Sequence, residues 1–143
     1  MDMAPVPSGV AGASLTSLSS APKDLCQAIP EVRELAAEMP GSLCLPCDVT
    51  QPEQIDEVMR VLKEEFGGLD CVVHGVAFAK REELQGDFFN TSREGYALAH
   101  EVSAYSLTAI VRRALPLMEG RGGSIVTLTY IGGERVVPNY NVM

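Results

Sequence analysis

Residues 50–76 read T-Q-P-E-Q-I-D-E-V-M-R-V-L-K-E-E-F-G-G-L-D-C-V-V-H-G-V, and this stretch decides the fold. Thr50 is placed to cap a helix and Glu53 to reach back to it, with Pro52 in the first turn where its missing N–H costs nothing. Ile55, Val58, Met59, Leu62 and Phe66 then recur at the helical period, and Gly67-Gly68 closes the element. Leu69 to Val76 follows as a run of strand length that is apolar on successive residues instead of alternate ones. Such a strand is covered on both faces, as in a parallel sheet between helices.

The same alternation extends outward. Upstream, Pro30–Met39 has helical composition and Ser42–Cys47 is a short strand-like run. Downstream, a loop from about Ala77 to Asn90 leads to Thr91 or Ser92, either of which can cap a long helix reaching about Leu115, with Pro116 at its finish. That helix is apolar nearly all round, Tyr96, Val102, Tyr105 and Ile110 lying on different sides, which predicts burial on several faces and a subunit interface. Gly122-Gly123 opens a third strand, Ser124–Thr129. Strand, helix, strand, helix, strand is the order of an α/β protein: a partial, Rossmann-like, doubly wound parallel sheet with three strands and their helices.

Composition narrows the function. The chain has 143 residues, a length for about one domain, and a formal net charge of −8, which argues against a nucleic-acid surface. No apolar run reaches the roughly 20 residues that a bilayer requires. Residues 1–28 are small, Ser-rich and without arginine, and read as a flexible or non-native leader; residues 29–143 read as one incomplete Rossmann-like domain. Cys26, Cys44, Cys47 and Cys71 include a C-L-P-C pair, but zinc would need a second ligand pair and a redox motif would open a helix. Buried reduced thiols in a cytoplasmic protein, with no metal, are the better reading.

Ligands of an open parallel sheet sit outside the carboxyl ends of its strands. There the sequence places Asp48-Val49, Gly75-Val76-Ala77-Phe78-Ala79, and Thr129-Tyr130. An acid that can accept from an adenine amino group, a small-residue turn and a phenol thus share one edge, where a nucleotide would fit. Taken singly, Asp48 is equally a cap and Gly75 equally a turn residue.

These residues carry a resemblance. C-D-V-T-x-P-E-Q-I-D (47–56), E-F-G-G-L-D-x-x-V-H (65–74), D-F-x-x-T-S-R-E-G-Y (87–96), A-H-E-V-S-A-Y-S-L (99–107) and G-S-I-V-T-L-T-Y-I-G-G-E-R-V-V-P-N-Y-N-V-M (123–143) resemble the NADH-dependent enoyl-acyl-carrier-protein reductases. These are divergent short-chain dehydrogenase/reductases of fatty-acid elongation. The resemblance runs from about residue 31 to Met143 and is most specific in its Tyr-x9-Tyr segment. It implies that Tyr140 is the catalytic phenol, hydrogen-bonded to the thioester carbonyl of an acyl-carrier-protein-bound enoyl chain. Tyr130 is then the second tyrosine, Asp48 and Val49 the adenine contacts, Gly75 and Val76 residues beside the NADH cofactor, and Ala79 a backbone contact to substrate. A homo-oligomer is implied for the full-length form.

Three departures accompany the match. The family's first strand and Gly-rich turn have only Ser8–Ser14 as a counterpart, a string without a preceding strand. The family's Tyr-x6-Lys pattern places the lysine four positions beyond Met143, so the chain reads as a piece of a longer reductase. Gly75 also stands where most relatives carry serine. His74-Gly75-Val76-Ala77, in place of Asn-Asn-Ala-Gly, disfavours a β-ketoacyl reductase. The alternative to an enzyme is a non-catalytic product that docks on a full-length subunit.

Overall fold

The computed structural model of the chain describes residues 13–16 and 30–143. In order along the chain these form β1 (Ala13–Thr16), α1 (Pro30–Ala37), β2 (Leu43–Pro46), α2 (Pro52–Phe66), β3 (Cys71–His74), α3 (Arg93–His100), α4 (Ser106–Met118) and β4 (Ser124–Thr127). A π-turn, Glu101–Tyr105, joins α3 to α4, and the β3–α3 loop contains the short 3₁₀ turns Arg81–Leu84 and Phe88–Asn90.

The strands pair in parallel as two ribbons, β1 with β2 and β3 with β4. One of these strands was not legible. Ala13–Thr16, within the stretch read as a leader, aligns Ala13 with Leu43 and Thr16 with Pro46. A-S-L-T is too short and too small in its side chains to announce a strand, and the pairing along β2 is what defines it. The ordered pattern therefore holds four strands instead of three. Cys26 and the glycines of the Ser8–Ser14 string lie outside the described residues.

The helix α2 follows its periodicity closely: Ile55, Val58, Met59 and Leu62 are buried, and Gly67, in the left-handed region at φ 72°, closes the helix through its N–H to the Lys63 carbonyl. Its start differs from the capping-box reading. Gln51 occupies the cap position without a side-chain bond, because the Thr50 hydroxyl donates to Asp48 Oδ1 at 2.7 Å instead. Ser92, one of the two anticipated caps, accepts the Gly95 N–H at 2.9 Å.

The long downstream helix is divided by the π-turn, and it continues past Pro116 to Met118, since only one backbone bond is forfeited so near its end. Its buried stripe comprises Ala99, Val102, Ser106, Ala109, Ile110, Ala114 and Met118. The opposite side leaves Tyr96, Tyr105 and Leu115 about half exposed or more. Burial on several sides is thus not found within the single chain. Nor are both faces of the sheet covered, as all of β4 is exposed.

One core joins the two ribbons. Cys47 and Val49 after β2 pack with the α2 face, with Val102 and with Ile110, while Val72, Val76 and Phe78 lie against the same cluster. Asp56–Arg113 ties α2 to α4, and Asp70–Arg121 ties the start of β3 to the turn before β4. Among the described cysteines only Cys47 is fully buried; Cys44 is half-buried and Cys71 exposed, because Cys71 lies on the uncovered side of β3. Among the described residues, no helix is long and apolar enough to cross a membrane.

Candidate active site

The parallel register sets His74 opposite Thr127, so the chain leaves β3 and β4 at the same level. Leu128 N–H donates to the His74 carbonyl at 3.0 Å and extends the pairing by one residue. Gly75 and Val76 therefore leave β3 on the edge where the chain runs on to Tyr130, and Ala79 lies further along the same stretch. At Gly75 an added Cβ would lie 3.1 Å from Leu128 Cδ1, a contact that the largely exposed Leu128 can relieve by turning away.

Tyr130 is half exposed and stands just before the 3₁₀ turn Ile131–Gly133. The turn brings Gly132 beneath its ring, where an added Cβ would sit 2.9 Å from Tyr130 Cδ1. The chain then reverses, and Tyr140 returns to Tyr130 with ring centroids 4.9 Å apart and planes tilted by 42°. Two features fix that return. Asn139 adopts φ 59°, a left-handed conformation that asparagine tolerates better than other non-glycine residues. Asn141 donates its side-chain amide to the Gly86 carbonyl at 2.8 Å and its backbone N–H to the Leu84 carbonyl at 3.3 Å. The tyrosine segment is thereby moored to the loop that follows Ala79.

Asp48 and Val49 follow β2, in the other ribbon. Asp48 Oδ1 accepts both the N–H and the hydroxyl of Thr50, at 2.9 and 2.7 Å. The carboxylate thus organises its own turn and retains acceptor capacity on its second oxygen. Val49 is 4% exposed with its side chain in the core, so any approach to a ligand is by its backbone. Burial, with the Asp48 carboxylate adding to it, pushes the Cys47 thiol up to about 11, which makes it a packing residue and not a nucleophile.

Behind β3, His74 is buried and bonds Ser106 Oγ through Nε2 at 2.8 Å. Burial pushes its imidazole below the ordinary histidine range.

The family model described as enoyl-(acyl carrier protein) reductase matches residues 12–143. The chain belongs to the enoyl-acyl-carrier-protein reductase family. Among enoyl-acyl-carrier-protein reductases, the NADH enzyme of Bacillus subtilis is 52% identical over 114 residues, covering 78% of this chain and 44% of the relative. That of Aquifex aeolicus is 50% identical over 112 residues, covering 78% of this chain and 42% of the relative. Its crystal structure superposes with a TM-score of 0.79 at 43% identity, covering 90% of this chain and 52% of that one. The enzyme of Anaplasma phagocytophilum, solved with NAD, gives 0.79 at 41% identity over 92% of this chain and 47% of that one. The chain therefore spans under half the length of these curated relatives. The Rossmann-type α/β fold anticipated from the sequence is that of these reductases.

Several residues that shape the surroundings of the two tyrosines were not singled out from the sequence. Gly132, Asn139 and Asn141 lie inside the quoted tyrosine segment, yet only the fold reveals what each contacts. Ser103 and Ser106 were present in S-A-Y-S, and a π-turn leaves no distinctive trace in the hydrophobic period.

Proposed function

We propose that the chain carries part of the active site for NADH-dependent reduction of trans-2-enoyl-acyl-carrier-protein thioesters in fatty-acid elongation. The observation that carries this reading is the Tyr130–Tyr140 ring pair at the edge where β3 and β4 end. The residues present suit the cofactor. Asp48 has a carboxylate oxygen to offer an adenine amino group, Val49 offers backbone, and Gly75 adds no side chain beside Val76. Bound NADH would supply the hydride that adds to the β-carbon of the enoyl chain. As negative charge builds on the thioester carbonyl oxygen, the Tyr140 hydroxyl donates a hydrogen bond to it, stabilising charge absent from the ground state. Tyr130 holds the Tyr140 ring in place, and the Ala79 backbone positions the acyl thioester. A cytoplasmic location goes with this reading.

The test is NADH oxidation by the purified chain with the crotonyl thioester of coenzyme A. Oxidation should depend on the enoyl thioester, and Y140F should lower kcat by about 10²-fold, the usual loss for one such donor. Oxidation that instead follows a β-ketoacyl thioester would overturn the reading, and its absence would turn the choice to the second reading below.

A second reading is a non-catalytic piece docked on a full-length reductase subunit. The exposed β4 residues and the exposed apolar Tyr105 and Leu115 favour it, and they equally suit the homo-oligomer proposed for the full-length form. Co-elution with a full-length family enzyme, without turnover by the chain alone, would select it.

A further inference from the structure

We propose that Ser103 is a positioning residue for the Gly75–Ala79 stretch, an inference that rests on the reductase reading above. Ser103 lies in the π-turn, where i→i+5 spacing widens the helix and sets it beside the buried stripe of Ala99, Val102 and Ser106. Its single hydroxyl meets both backbone groups of Phe78: the Phe78 N–H donates to Ser103 Oγ at 3.0 Å, and the hydroxyl donates back to the Phe78 carbonyl at 3.2 Å. The Met143 sulfur lies 3.9 Å from the same oxygen, so the end of the tyrosine segment reaches this point as well.

Three residues further on, Ser106 holds His74. One helix therefore grips the segment after β3 twice, at His74 and at Phe78. Gly75, Val76 and Ala77 are suspended between these anchors, and Ala79 follows the second directly. Val76 and Phe78 rest against the core, but neither Gly75 nor the alanines bring polar side chains that could anchor the stretch, so its side-chain hydrogen bonds come from the two serines. Ser103 touches neither of the residues assigned to chemistry and acts through the backbone it holds.

The test compares S103A, S103C and S103T with the native chain. Hydrogen exchange at the Phe78 amide reads the contact itself. Steady-state kinetics with NADH and the crotonyl thioester of coenzyme A read the positioning. In S103A the Phe78 amide should exchange about tenfold faster, and KM for the thioester should rise about tenfold with kcat within about twofold; tenfold corresponds to roughly 1.4 kcal/mol. S103T, which keeps the hydroxyl, should restore both. S103C, of similar size with a weak donor, should behave as S103A and gives the same reading if S103A does not melt cooperatively.

Unchanged exchange at Phe78 in S103A would overturn the proposal. Faster exchange with an unmoved KM would do so too, leaving Ser103 a merely structural contact. Native turnover with all variants alike removes only the role of Ser103. Absence of enoyl-dependent NADH oxidation in the native chain removes the reductase reading and this role together.

Discussion

His74 and Ser106 share a 2.8 Å hydrogen bond whose direction is fixed by their neighbours. Ser106 commits its one proton to the Val102 carbonyl at 2.6 Å, so His74 donates from Nε2 and leaves Nδ1 as an acceptor. The Thr127 hydroxyl lies 3.4 Å from that Nδ1, across the β3–β4 pairing. The site is built for a neutral imidazole.

A pH dependence follows from this geometry. Burial lowers the folded-state pKa of His74, so the unfolded chain takes up the proton first. The stability contributed by neutral His74 is complete above the unfolded value of about 6.5 and declines as pH falls below it. Thermal melts between pH 7.5 and 5.5 should show a falling Tm, with the unfolding free energy declining at a limiting slope of about 1.4 kcal/mol per pH unit for one proton. The variant His74→Gln should be less stable at pH 7.5 and should lose that part of the slope. A native Tm flat across this range would contradict the buried neutral assignment.

Gly132 controls the placement of Tyr130. An alanine Cβ there would lie 2.9 Å from Tyr130 Cδ1 and 3.1 Å from its Cε1, so the ring must shift. Because Tyr130 is half exposed, it can shift without opening the core. G132A should therefore cost less than about 1 kcal/mol in denaturant unfolding, while the near-ultraviolet dichroism from the Tyr130–Tyr140 pair weakens. Enoyl reduction should fall together with the dichroism. An unchanged spectrum would show that the ring does not rest on Gly132.

Asn139 sets the turn that returns Tyr140. At φ 59° an alanine is placed where its Cβ crowds the backbone, at a cost of about 1–2 kcal/mol, whereas glycine is not penalised. N139A should lower the midpoint of urea unfolding, and N139G should stay within about 0.5 kcal/mol of native. Equal effects of the two variants would place the contribution of Asn139 in its side chain instead of its backbone.

Legibility differed with the physical origin of each element. α2 was readable because burial against a single core imposes the helical period on Ile55, Val58, Met59 and Leu62. The edge shared by Gly75, Val76 and Tyr130 followed from strand order, since parallel strands deliver their exits to one side. β1 was not readable, because its identity comes from pairing with β2 and not from its own residues. The same holds for the start of α2, where Asp48 competes successfully for the Thr50 hydroxyl. The Tyr130–Tyr140 contact depends on Asn139 and Asn141 acting together across a chain reversal, which no local pattern encodes.

The start of α3 offers a prediction in which an ordinarily neutral exchange should fail. Ser92 Oγ accepts the Gly95 N–H while its own proton goes to Glu83 Oε1, and its backbone N–H donates to Glu83 Oε2 at 3.0 Å. S92A removes the cap and should cost about 1 kcal/mol. Aspartate caps helices as well as serine does in general, but here it has no proton to donate and would set a second carboxylate against Glu83. S92D should therefore fail to restore stability at pH 7. The Ser92 hydroxyl, and after it the Ser92 N–H, hold the Glu83 carboxyl below its ordinary value of 4.5. The stability from this contact is thus present above pH 4.5 and lost as pH falls through the lower folded-state value. Melts of S92D should accordingly approach those of native protein only in acid, where protonation relieves the repulsion and the native contact is itself weakened. Equal stability of S92D and native protein at pH 7 would mean that Glu83 does not face the cap.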